Sequence, residues 1–348
     1  MFGLKKEKLK GVLRRGWSAE VEDYAIAGTW ACGGDVFVVG DAAGGVFAFH
    51  GRSGAVLWAH SGVHEGGMLS MAVHPKSALV ATAGQDGRVL LWNAKDGQVR
   101  QTIEVARGGW IEHLAWSADG QWLAATCSRR VYVYGVDGSE AWQSDDHPST
   151  VGAIAWAGAD ELATACYGQV AFFGASSGTP GQKLEWKGSL VSIVLSPDGD
   201  IVACGSQDNS VHFWRRSTGQ DSMMSGYAGK PSAMAFDDSG VLLATGGGEA
   251  VTVWSFQGDG PEGTRPGILE AHVEPITTLT FAAGTRKLAS GARDGSVVVW
   301  TLRSNGTGSP IGAARLDERV AGLAWRPDGR GLAALDAKGG VTAWRVSG

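Results

Sequence analysis

The chain has 348 residues, 44% hydrophobic and 19% charged, with a formal net charge of −5. That length holds two ordinary domains or one large closed repeat array, and the composition supports a sizeable core, which excludes a disordered chain. No run of 18 apolar residues exists and no signal-peptide core follows the basic start, so no membrane span is expected and the cytoplasm is the expected location.

The charge is uneven. Residues 1–15 carry Lys5, Lys6, Lys8, Lys10, Arg14 and Arg15 against Glu7, which gives +5 and leaves −10 on the rest. So acidic a body is a poor partner for phosphate, and neither nucleic acid nor membrane is an expected ligand. Residues 1–10 read as a solvated basic tail and 11–348 as one domain. Cys32, Cys127, Cys166 and Cys204 form no close pair, so no disulfide framework is expected. Glycine is abundant, 54 of 348 residues. These glycines cluster between β-prone runs, as hairpins require.

In chain order, one aromatic ends the third strand of each repeating unit: Phe49, Trp92, Tyr134, Phe173, Trp214, Trp254, Trp300 and Trp344. The intervals are 43, 42, 39, 41, 40, 46 and 44 residues. A first strand ends in a large apolar residue, as at Val73, Trp116, Trp156, Phe236, Phe281 and Trp325. A turn follows, such as Ser196-Pro197-Asp198-Gly199, and then a small-residue strand such as Ala81-Thr82-Ala83-Gly84. A short turn leads to the aromatic strand, and a weaker fourth strand closes the unit. No helix-period segment longer than two turns stands out after residue 15. The last unit stops after its third strand, while residues 11–17 resemble the fourth-strand segment 54–58. This spare N-terminal strand is expected to complete the last unit and remove an open sheet edge.

The clearest unit runs from His272 to Trp300, with β-prone runs at Ile276–Phe281, Lys287–Gly291 and Ser296–Trp300. It resembles a WD repeat, one blade of a β-propeller, and the period of the other units is at or near that of the same family. The resemblance implies an all-β chain: a single β-propeller of four-stranded antiparallel blades, eight favoured and seven the alternative, closed by the N-terminal strand. It also implies a hydrogen-bonded tetrad in each blade. The tetrad is complete in unit two, as His64, Thr82, Asp86 and Trp92, and in unit seven, as His272, Ser290, Asp294 and Trp300. Unit four keeps His147 and Thr164, and unit five keeps Asp208 and Trp214 beside Lys187 and Cys204. The name-giving Trp-Asp dipeptide is absent.

Catalytic patterns are weak. His, Asp and Ser in one unit look like a hydrolase triad, but in this family they satisfy buried polar groups. Gly174-Ala175-Ser176-Ser177-Gly178 matches a nucleophile elbow, yet it falls between two strands, where that motif needs a helix to follow. His60 and His64 are four apart in a strand end and loop, with no further ligands close by. No catalytic, cofactor-binding or metal residues are assigned, and no cofactor is expected. One surface cluster stands out: Arg107, Trp110, Arg129, Arg130 and Tyr167, placed at one end of units three and four. Trp, Tyr and Arg are the residue types enriched at binding hot spots. The expected function is therefore a non-catalytic intracellular scaffold for one or more proteins, engaged through an acidic segment, on a monomeric fold. A propeller-based enzyme or metal-dependent hydrolase is one alternative. Docking to membrane or nucleic acid through the basic tail is the other.

Overall fold

A computed structural model describes residues 12–258 and 260–347, so the basic tail assigned to residues 1–10 lies outside the described residues. Thirty strands and one short 3-10 turn make up the secondary structure of the described residues. The first complete sheet pairs Ala25–Ala31, Val36–Asp41, Val46–His50 and Val56–His60 in chain order, each strand antiparallel to the next. The same up-and-down order recurs along the chain. These are the four-stranded antiparallel blades of a β-propeller.

The local grammar explains the blades. In the hairpin Ser196–Gly199, the Ser196 hydroxyl donates to Asp198 Oδ1 and the Gly199 amide donates to the Ser196 carbonyl at 2.8 Å. Gly199 sits at φ +72°, where a side chain would be strained. Second strands are lined with small buried residues, among them Ala81, Ala83, Ala124, Ala203, Ala244, Ala289 and Ala333. Their size lets neighbouring sheets approach, and Trp92, Trp300, Phe37 and Phe49 fill the wedges. Indole N–H groups also tie adjacent sheets together: Trp58 donates to Ala94 O at 2.8 Å, Trp142 to Ala175 O at 2.7 Å and Trp156 to Ala115 O at 2.9 Å.

Among the described residues backbone pairing yields seven sheets, not the eight favoured from the sequence; seven was the alternative. The difference does not arise in unit one, which forms its own full sheet. It arises because Glu161–Gly174 and Pro180–Leu195 are long strands that each carry the residues of two repeat strands. Glu161–Gly174 turns at Gly168, φ +88°. Its first half pairs with Ala153–Ala157 and its second with residues 180–185. Units four and five therefore fall within one six-stranded sheet.

The N-terminal strand Leu13–Glu20 pairs antiparallel with Gly340–Val346, from Leu13 opposite Val346 to Glu20 opposite Gly340. It is the outermost member of the last sheet. A register shift between Arg15 and Trp17 leaves Gly16 against the Ala343 carbonyl, where a Cβ would stand at 3.1 Å. Trp17 is buried, and Leu13 packs with Trp344, Val346 and Leu316. The chain divides into two compact bodies, Val21–Leu195 and the residues through Glu20 joined with Ser196 onward. Among the described residues no helix is long and apolar enough to cross a membrane.

Candidate functional site

The tetrad of unit two forms as a continuous chain. Trp92 Nε1–H donates to Thr82 Oγ1 at 2.8 Å, Thr82 meets His64 Nε2 at 2.8 Å, and His64 Nδ1–H donates to Asp86 at 3.2 Å. His64 and Thr82 are buried, and burial pushes the His64 pKa down, which keeps the ring neutral. Burial opposes ionisation of Asp86, yet Arg88 and His64 together hold its carboxyl below the ordinary value. Arg88 clamps that carboxylate at 2.7 Å and donates to Val63 O at 2.9 Å.

Unit seven uses the same residues with one more. Trp300 Nε1–H donates to Ser290 Oγ at 2.8 Å, and Ser290 meets His272 Nε2 at 2.7 Å. His272 Nδ1 then meets not Asp294 but the hydroxyl of Ser296, which donates to Asp294. Asp294 also accepts from the Ser296 amide at 2.9 Å. Burial pushes the His272 pKa down to about 4. Ser296 stands two residues after its aspartate, the place that Arg88 holds in unit two. Sequence reasoning missed this relay.

It also missed unit six. There Trp254 Nε1–H donates to Tyr227 Oη at 2.9 Å, and Tyr227 meets Thr245 Oγ1 at 2.8 Å. Tyr227 precedes Thr245 by 18 residues, the spacing of His64 to Thr82 and of His272 to Ser290. That spacing was a usable signal. In unit four His147 meets Thr164 at 3.0 Å, and its Nδ1–H donates to the Arg129 carbonyl at 3.0 Å, so a backbone oxygen replaces the missing aspartate. In unit five Asp208 caps its own turn through Ser210, while His212 packs edge-on against Trp214 at 4.3 Å.

The remaining motifs take structural places. Ser176 is exposed in a hairpin between two strands, with no helix following. His60 Nε2–H donates to Gly97 O at 3.0 Å, away from the chain that holds His64. Cys127, Cys166 and Cys204 have thiol pKa values raised by burial, which makes each a poor nucleophile.

The surface cluster lies at one end of the blades of units three and four. Trp110 immediately precedes Ile111–Trp116, whose first residue pairs with Cys127, and Cys127 pairs with Arg130. The turn at 128–129 is clamped to the next loop: Val151 N donates to Ser128 O at 2.9 Å, and Arg129 Nε donates to His147 O at 2.7 Å. That loop reaches Tyr167, whose amide donates to Ser149 Oγ at 2.9 Å. Trp110 and Tyr167 are each 54% exposed. Arg107 is exposed and makes no ion pair among the described residues. Arg129 and Arg130 both pair with Asp146, Arg130 at 2.6 Å. Arg129 thus also serves the blade, holding the His147 loop by side chain and backbone.

Comparison with known proteins adds the following. The family described as "WD domain, G-beta repeat" matches residues 54–93, 97–135, 178–215 and 263–301. The WD repeat-containing protein slp1 of Schizosaccharomyces pombe is 24% identical over 77% of this chain and 56% of its own length. Cell division cycle 20.1, cofactor of APC complex, of Arabidopsis thaliana is 28% identical over 53% of this chain and 42% of its own. The chain thus spans about half the length of such relatives. Among solved structures, the computationally designed Ika8 protein superposes with a TM-score of 0.81 at 21% identity, covering 96% of this chain and all of that one. A chain of the Mitotic Checkpoint Complex superposes at 0.67 and 22% identity, covering 81% and 87%. At these identities the structures speak for the fold alone.

Proposed function

We propose that this chain, which matches the WD-repeat family model in four places and folds into β-propeller blades, is a non-catalytic protein-interaction scaffold working in the cytoplasm. The observation that carries this reading is the pair of half-exposed aromatics, Trp110 and Tyr167, at one end of units three and four, where hydrogen bonds fix the 106–109 turn, the 128–129 turn and the Tyr167 backbone. Large rigid aromatics contribute contact area at little entropic cost, and a preordered loop lowers the cost of binding further. The His, Ser and Asp groups that imitate a hydrolase are engaged with one another and largely buried, which supports a structural role for them. The relative named as a cofactor of the APC complex supports work within an assembly. An acidic segment is the partner chemistry that suits Arg107, and a partner carboxylate would compete with Asp146 for Arg129 and Arg130.

The test is affinity capture from the source cell with the wild-type chain and with Trp110→Ala combined with Tyr167→Ala. The variant is expected to keep its melting temperature and to lose a partner selectively. A hot-spot truncation costs about 2 kcal/mol, around thirtyfold in affinity. Identical partners for both proteins would overturn the assignment of this surface.

A further inference from the structure

The fourth strands that end the sheets are protected in different ways, and one lacks the charge, proline or brevity that guards the others. A sheet edge exposes unpaired amides and carbonyls, which proteins blunt with charge, proline or short length. Val99–Glu104 carries Arg100 and Glu104, Glu140–Gln143 carries Glu140, and Gln220–Met224 carries Asp221. Gly308–Arg315 has Pro310 and Arg315, and Leu13–Glu20 has Arg14 and Arg15, whereas Pro180–Leu195 lies inside the six-stranded sheet. Gly267–Leu269 is only three residues long. Among the described fourth strands that end a sheet, only Val56–His60 combines greater length with no proline, acid, lysine or arginine. Its apolar side chains are also out in solvent: Val56 is 63% exposed and Leu57 43%.

The two ends of this strand carry opposite charge. Arg52 is exposed in the turn before it, with no partner among the described residues. At the other end Ser61 donates to Glu22 Oε1 at 2.6 Å, which holds an exposed carboxylate there, and Glu65 lies exposed four residues on. We propose that Val56–His60 is a self-association edge, on which a second copy of this chain adds the same strand antiparallel. Antiparallel pairing is the one arrangement that sets the Arg52 end of each copy beside the Glu22 end of the other. It satisfies both charges twice by symmetry, the hallmark of an isologous two-fold contact. A register shift makes Leu57 an extra residue opposite Phe49, so regular pairing falls on Trp58–His60. So short a strand pair places the contact in the weak, reversible class. The inference departs from the monomeric fold expected from the sequence, and it is independent of the loop surface proposed above.

The experiment is sedimentation velocity on the full chain over a concentration series, with Val56→Lys, Arg52→Glu, and the charge swap Arg52→Glu with Glu22→Arg. Lysine at an exposed edge position leaves the blade core untouched, so melting temperature should stay constant. The wild type is expected to dimerise reversibly. Val56→Lys should weaken the dimer at least about tenfold, because a charged edge side chain must be desolvated for a strand to add, the device by which natural edges resist pairing. Arg52→Glu should weaken it, and the swap should restore it. A wild type that stays monomeric at every concentration would overturn the proposal, as would a dimer indifferent to Val56→Lys or a swap that fails to rescue.

Discussion

At the residue scale the tetrads show how much chemistry hangs on one neighbour. In unit two Arg88 pulls on Asp86 while His64 reaches the carboxylate directly. In unit seven Ser296 occupies the corresponding place and stands between His272 and Asp294. Asp294→Ala and Ser296→Ala are each expected to cost roughly 1–3 kcal/mol, because each leaves a buried partner unsatisfied. Since Asp294 acts on His272 through Ser296, the double variant should cost less than the two singles together, by at least about 0.5 kcal/mol. Urea unfolding of the three proteins checks this, and strict additivity would contradict the relay. The four tetrad residues of each complete unit were legible because their spacing is fixed by strand register. Ser296 was not, since a relay depends on a rotamer that spacing does not encode. Tyr227 was overlooked for another reason: a phenol can replace an imidazole as a buried hydrogen-bonding group, and a search for histidine alone passes over it.

At the element scale the N-terminal strand was readable because residues 11–17 repeat the pattern of a fourth strand and the last unit lacked one. The structure pairs it as expected, with Trp17 buried against the last sheet. Trp17→Ala should therefore cost about 3–5 kcal/mol, as for other large-to-small changes at buried aromatic sites. Deleting residues 1–18 should cost at least as much, by exposing the edge of Gly340–Val346 as well. An unchanged melting temperature in the deletion would show that the strand contributes nothing to stability. What could not be read was continuity. The aromatic markers Phe173 and Trp214 were correct, but they count third strands only. Nothing in Trp186-Lys187-Gly188-Ser189 announces that the backbone stays extended: Gly188 takes no positive φ, and the strand runs unbroken to Leu195. The surface proposed for partner binding was half legible. Its aromatics are exposed, whereas the pairing of Arg129 and Arg130 with Asp146 depends on where the next loop folds back.

At the scale of the whole molecule, buried neutral histidines make stability a function of pH. Burial lowers the pKa of His64, His113, His147, His212 and His272 alike, the last to about 4 from 6.5. In the unfolded chain these rings bind a proton near pH 6.5, while in the folded chain they do not until the pH is lower. Protons are thus bound preferentially by the unfolded state, and stability must fall as the medium is acidified. The histidine contribution is fully present above pH 6.5 and is lost progressively down to about pH 4, where His272 itself is protonated. For His272 alone the loss is on the order of 3 kcal/mol. Below the ordinary carboxylate range a second loss begins, because Asp86 and Asp294 are held below 3.8 in the folded state and must be protonated to unfold it. His272→Gln should be less stable than the wild type at pH 7, since it breaks the chain to Ser290 and Ser296. It should also show a shallower fall between pH 6.5 and 4.5, because the steepest single titration has been removed. Unfolding free energies of both proteins across that window decide the matter. Parallel curves would mean that His272 is already protonated in the folded protein, and that the Ser296 relay serves a charged imidazolium rather than a neutral ring.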